Sequence, residues 1–186
     1  MHRALTLVAA CALLALSGEA DAQAAKTPSP LMTELFGAAA GEAKAQACFT
    51  RVYDENHLAG HPQQNVRDMV LLLEKSPDAD AGNVLNARVG VHFRRLGSEF
   101  ETGGGCGIRD DGKAVHCGVD CDGGEIDVEV KDAAAVYVKI PDGARLWDPA
   151  SDSENAPKKA RFGPDDTVFK LTRANLRECL KTLAKQ

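Results

Sequence analysis

Apolar and polar residues alternate with a period of two at several places along the chain, the signature of strands with one face buried. Val89, Val91 and Phe93 alternate with Arg88, Gly90, His92 and Arg94, which predicts a half-exposed strand. Ile126, Val128 and Val130 alternate with Glu125, Asp127 and Glu129. After a short turn at Asp132 and Ala133, Val136, Val138 and Ile140 alternate with Tyr137 and Lys139. This is the clearest hairpin in the chain, and it makes the acids of the 125–131 strand a solvent face rather than an acid/base couple. Met69, Leu71 and Leu73 can point one way and Val70 and Leu72 the other, as in a strand buried on both faces, although so short a run also fits a helix.

The remaining segments fill in a mainly β architecture. Asp148 to Asp166 is rich in Pro, Ser, Asp and Lys and reads as an exposed loop before a strand around Val168 to Leu171, with a short helix around Cys179 at the end. Asp54 is placed to cap one helical turn carrying His57 and Leu58 before Pro62 forces an extended or turn conformation on His61. About seven or eight strands at this spacing, with no long helices between them, predict a single antiparallel β-barrel or sandwich with short flanking helices.

The N-terminus has a different composition. Arg3, an apolar run from Ala4 to Leu16 and small residues before Ala24 have the order of a secretory signal peptide over residues 1–24. The run is shorter than the roughly 20 apolar residues of a spanning helix, so no stable membrane insertion is expected. Residues 25–47, with Pro28 and Pro30 followed by Leu31, Met32, Leu35 and Phe36, read as a tether and a short helix. Residues 48–186 form the expected disulfide-bearing β domain.

Five cysteines follow the signal: Cys48, Cys106, Cys117, Cys121 and Cys179. Export puts them where structural disulfides form. Asp111-Gly112 suits a two-residue hairpin turn, and in that register Cys106 faces Cys117. A three-residue loop would instead place Cys106 opposite His116, and Cys121, four residues beyond Cys117, is a rival partner. Cys48 and Cys179 flank the strands, so a bridge between them would tie the domain ends together, worth about 4 to 5 kcal/mol by chain entropy. Cys121 is then the spare thiol, available to link two chains.

Charge excludes some partners. Cleavage of the signal leaves 21 basic and 25 acidic side chains, a net charge of −4 with both signs interspersed. That balance supplies neither the basic stripe of a nucleic-acid-binding protein nor a polybasic membrane anchor.

No residue constellation specifies a reaction, and no cofactor is implied. His57 and His61, four apart, suit one helical face and are candidates for a zinc or nickel site, with Asp54, His92 and His116 as further donors. The segment lacks the Glu of H-E-x-x-H, and packing or turn roles explain both histidines. Asp120, Asp122 and Glu125 around Gly123-Gly124 have ligand types suited to calcium, but lack the EF-hand order, and turn chemistry explains them. Gly103-Gly104-Gly105 lacks the lysine of a phosphate loop and suits bending or close strand packing. Cys121 as nucleophile, with His116 as base and Asp120 orienting it, is opposed by strand alternation, which sends Cys121 and Asp120 to opposite faces.

The run Cys48-Phe49-Thr50-Arg51-Val52-Tyr53-Asp54, then His57-Leu58, His61-Pro62 and Gln64, resembles a group of uncharacterised small exported proteobacterial proteins. So does the later Cys106 with His116-Cys117-Gly118-Val119-Asp120-Cys121-Asp122-Gly123-Gly124. The resemblance covers about a third of the chain by its ordered segments, implies a periplasmic or secreted location, and carries over no catalytic or binding residues. The functional expectation is a periplasmic binding, inhibitory or envelope-accessory module, touching an envelope protein or a small ligand through loops around 54–64 and 103–124. The alternative is a metal-binding protein or metal-dependent hydrolase using His57 and His61.

Overall fold

The computed structural model describes residues 27–76, 84–120, 122–151 and 156–183; the expected signal peptide and Cys121 lie outside them. Eight strands, β1 (Gln46–Val52), β2 (Val66–Lys75), β3 (Leu85–Phe93), β4 (Glu99–Ile108), β5 (Ala114–Gly118), β6 (Glu125–Asp132), β7 (Ala135–Lys139) and β8 (Val168–Arg173), form a closed antiparallel barrel. Each strand pairs with the next in sequence, and β8 returns to β1 through Phe49–Arg173 and Thr50–Thr172. Of the two expected architectures, closure selects the barrel.

Alternation decides what fills it. Phe49, Met69, Leu71, Val89, Val91, Val115, Val128, Val138 and Leu171 all point inward, are essentially inaccessible to solvent and belong to one apolar cluster. The residues between them face outward. The expected two-sided burial of β2 has a definite cause: α3 (Leu176–Leu183) folds back over the outer wall and covers Val70 and Leu72 with Leu183. The same patch contains Cys48 and Cys179, whose Sγ atoms are 2.08 Å apart.

The second disulfide joins Cys106 to Cys117 across β4 and β5. The register is the expected one, with Gly107 opposite His116 and Ile108 opposite Val115. The turn itself differs from expectation. Arg109 N–H donates to the Ala114 carbonyl, and the Gly112 N–H returns to the Arg109 carbonyl. Positive φ is confined to Gly112, at 67°, so four residues make the reversal instead of two. The β6–β7 turn also falls one residue later than expected, at Ala133 and Ala134, because a register shift between Val130 and Asp132 lengthens β6.

The short helix expected after the tether within residues 25–47 is present and packs into the fold. Ser29 caps α1 (Pro30–Phe36), accepting a hydrogen bond from Met32 N, and Pro30 occupies the first turn, where its missing N–H costs nothing. Leu31, Met32, Leu35 and Phe36 join the main core. Arg173 at the end of β8 donates to the Glu34 and Leu35 carbonyls, and Lys75 at the end of β2 donates to those of Ala40 and Glu42. Both anchors lie where β2 and β8 finish, so α1 and the 3-10 turn after it, Gly37–Gly41, close that end of the barrel.

Candidate functional site

The opposite end carries the other connections, and three of them, 53–65 between β1 and β2, 94–98 between β3 and β4, and 140–167 between β7 and β8, border one cleft. Asp166 fastens the first to the third. Its buried carboxylate accepts hydrogen bonds from Gly163 N at 2.7 Å, Asn65 N at 2.7 Å and Val66 N at 3.2 Å. Burial pushes the Asp166 carboxyl above its ordinary 3.8, against the opposing pull of those three N–H groups, and the neighbouring Asp165 charge adds to the rise.

In the 53–65 connection Asp54 caps α2 (Glu55–Gly60), accepting from His57 N at 2.7 Å, and Leu58 turns into the core. The Tyr53 and His57 rings stack at 4.5 Å, those of His57 and His61 at 4.2 Å, and the Arg51 guanidinium lies over Tyr53. Burial, the dominant influence, raises the Tyr53 phenol above its ordinary range, although the Arg51 charge opposes it. Gln64 gives its amide N–H to the Val66 carbonyl, so its oxygen accepts from His57 Nε2 at 3.1 Å. His61 Nδ1 donates to the His57 carbonyl at 2.9 Å.

The helical spacing of His57 and His61 therefore does bring the two rings together, but face to face. Their nitrogen lone pairs lie side by side instead of converging on one point, and one nitrogen of each is engaged. Asp54 is occupied as a cap, while His92 and His116 belong to other clusters. Among the described residues no three His, Cys, Asp or Glu side chains are grouped to hold a metal ion.

Beside this column lies a cleft of about 470 Å³ bounded by all three connections. Pro62, Phe93 and Leu96 give it apolar surface, Gln64 and Asn65 give amides, and Arg94, Arg95, Lys158, Lys159 and Arg161 give five positive charges. Sequence reading missed this set. Its only trace along the chain was the two dipeptides Arg94-Arg95 and Lys158-Lys159, more than sixty residues apart.

The 103–124 segment is largely wall rather than loop: Gly103, Gly104 and Gly105 lie within β4. A Cβ on Gly103 would approach the Ala87 carbonyl oxygen to 2.1 Å, and one on Gly104 the Gly118 oxygen to 1.9 Å. Close strand approach, not anion binding, therefore requires these glycines. A shallow groove of about 850 Å³ runs along this wall between Gly105 and Asp122, with His116 on its border. His116 Nδ1 pairs with Asp127 at 2.8 Å, and Asp127 also faces Arg109 at 3.1 Å. The carboxylates facing His116 are thus Asp127 and, at 3.9 Å, Glu125, and not Asp120. At the 119–124 turn, Val119 N–H donates to the Gly124 carbonyl and Gly123 N–H to that of Val119. Asp122 and Gly124 adopt positive φ there, so turn geometry accounts for the Asp-Gly cluster.

On the outer wall of β2 and β3, His92 Nδ1 lies 2.6 Å from Asp68, and Arg67 Nε lies 2.9 Å from the same carboxylate. Burial raises the Asp68 pKa, but the hydrogen bonds and charges of His92 and Arg67 outweigh it and hold the carboxyl below 3.8. Among the described residues no helix is long and apolar enough to cross a membrane.

The molecule is thus a closed, packed eight-stranded barrel with a loop-lined cationic cleft at one end. No family model matches the sequence, and neither a curated protein nor a solved structure matches it.

Proposed function

We propose that the protein is a periplasmic binding, inhibitory or envelope-accessory module whose contact surface is the loop end of the barrel. One observation carries this reading. The concave surface formed jointly by the 53–65, 94–98 and 140–167 connections sits on a rigid, closed barrel whose inward side chains already fill its interior. Loops presented by a stable scaffold commonly carry recognition. The two cysteine pairs suit an oxidising compartment, which supports export.

The test is a thermal-shift screen of the disulfide-intact protein against sugars, peptides, nucleotides, organic acids and phosphate esters. Every stabilising ligand is then repeated on loop-end variants. A bound ligand raises the melting temperature, by an amount that grows with the logarithm of ligand concentration over Kd. We expect at least one such ligand, and its effect disappears on substituting exposed residues of the loop end. A screen in which no compound stabilises the protein, or in which the effects survive those substitutions, removes the reading.

A further inference from the structure

We propose that the cleft at the loop end binds the phosphate group of a small organic phosphate ester. This rests on the binding-module reading and specifies the ligand chemistry. Arg94, Arg95, Lys158, Lys159 and Arg161 line one cleft, and none of the described residues lining it is a carboxylate. Among the described residues none of the five enters an ion pair, whereas Arg67, Arg88 and Arg109 on the barrel wall each face an Asp or Glu. The chain as a whole carries a net charge of −5, so this concentration of cations runs against its average. Like charges on one concave surface repel each other and focus a positive potential, and a bound anion relieves both.

The geometry favours a multiply charged oxyanion. Arg94 is fixed in advance, because its Nη1 donates to the Leu58, His61 and Gln64 carbonyls at 3.2, 3.4 and 3.2 Å. Those bonds use neither Nε nor Nη2. A guanidinium ordered before binding loses little entropy when the ligand arrives, and its fork matches phosphate oxygens in pairs while lysines add point charge. A single carboxylate leaves most of five cations uncompensated, whereas a phosphate monoester brings nearly two charges and three acceptor oxygens. Pro62, Phe93 and Leu96 offer apolar surface to a carbon skeleton. The volume of about 470 Å³ suits a ligand of one or two rings.

Isothermal titration calorimetry of the disulfide-intact protein with glucose 6-phosphate, inorganic pyrophosphate and glucose tests the site, alongside sedimentation with phosphatidylglycerol vesicles. Glucose 6-phosphate and pyrophosphate are expected to bind, glucose is not, and added salt weakens both. Arg95→Glu with Lys159→Glu, both at exposed positions, is expected to weaken binding at least about tenfold without lowering the unfolding midpoint. The milder Arg95→Gln with Lys159→Gln is expected to fall between. Binding of the soluble ester identifies a free metabolite as the source of the phosphate; vesicle binding lost in the same variants identifies a lipid headgroup. Silence of all the phosphate probes, or affinity indifferent to both double substitutions, overturns the proposal. A neutral ligand found in the screen and displaced by loop-end substitutions, with every phosphate probe silent, overturns this inference alone and leaves the binding module standing.

Discussion

Asp166 and Asp68 are two aspartates of one sequence whose surroundings push them in opposite directions. Burial raises Asp166, so its ionised form is less favoured in the folded state. The stability it contributes is fully present below its ordinary 3.8 and is lost as pH rises through the raised value. Asp68 is held low by His92 and Arg67 despite its burial, so its contribution is present above 3.8 and lost as pH falls through the lowered value. Urea midpoints across acid pH are therefore expected to move oppositely. The advantage of wild type over Asp68→Asn shrinks on acidification, while the advantage over Asp166→Asn shrinks as pH rises. Parallel trends in the two variants would contradict this assignment. Neither environment was legible in the sequence, because two of the three N–H partners of Asp166 lie about a hundred residues away and the His92 partner of Asp68 lies 24 residues away.

At the scale of elements, most strands were legible because their alternation is local, but β1 was not, since Ala47, Cys48 and Phe49 are buried in succession and Cys48 was expected before the first strand; the hairpin register was legible because Cys106 and Cys117 flank a short reversal. The role of α1 was not. Its four apolar residues show partly helical spacing, but nothing local says whether that face meets a core or lies beside a tether. The barrel end supplies the answer by leaving apolar surface to be covered. Leu35→Ala is accordingly expected to cost about 2 to 5 kcal/mol in equilibrium unfolding, as for a fully buried leucine. A cost near zero would return the segment to a tether. The pair His57 and His61 is a partial success of the same kind: α2 was read from its cap and its proline, but the direction of the rings depends on Tyr53 and Gln64.

For the whole molecule, the two disulfides constrain loops of very different length, with sequence separations of 131 and 11. Replacing Cys48 and Cys179 by serine is expected to destabilise by about 5 kcal/mol, and replacing Cys106 and Cys117 by about 3, on the chain-entropy relation. Chemical denaturation of the two double variants checks the order, and equal losses would show that local packing outweighs chain length. Alternation, turn residues and cysteine positions by themselves determined a mainly antiparallel β domain with short helices, since each of these signals acts between residues near in sequence or through one period of two. Tertiary structure alone decided that the sheet closes into a barrel, that α1 and α3 cover its end and its wall, and that Arg94, Arg95, Lys158, Lys159 and Arg161 share one cleft. Averaged along the chain those cations vanish into a mildly acidic composition. They become a site only when three connections meet at one end, because electrostatic potential depends on distance through space and not on separation along the chain.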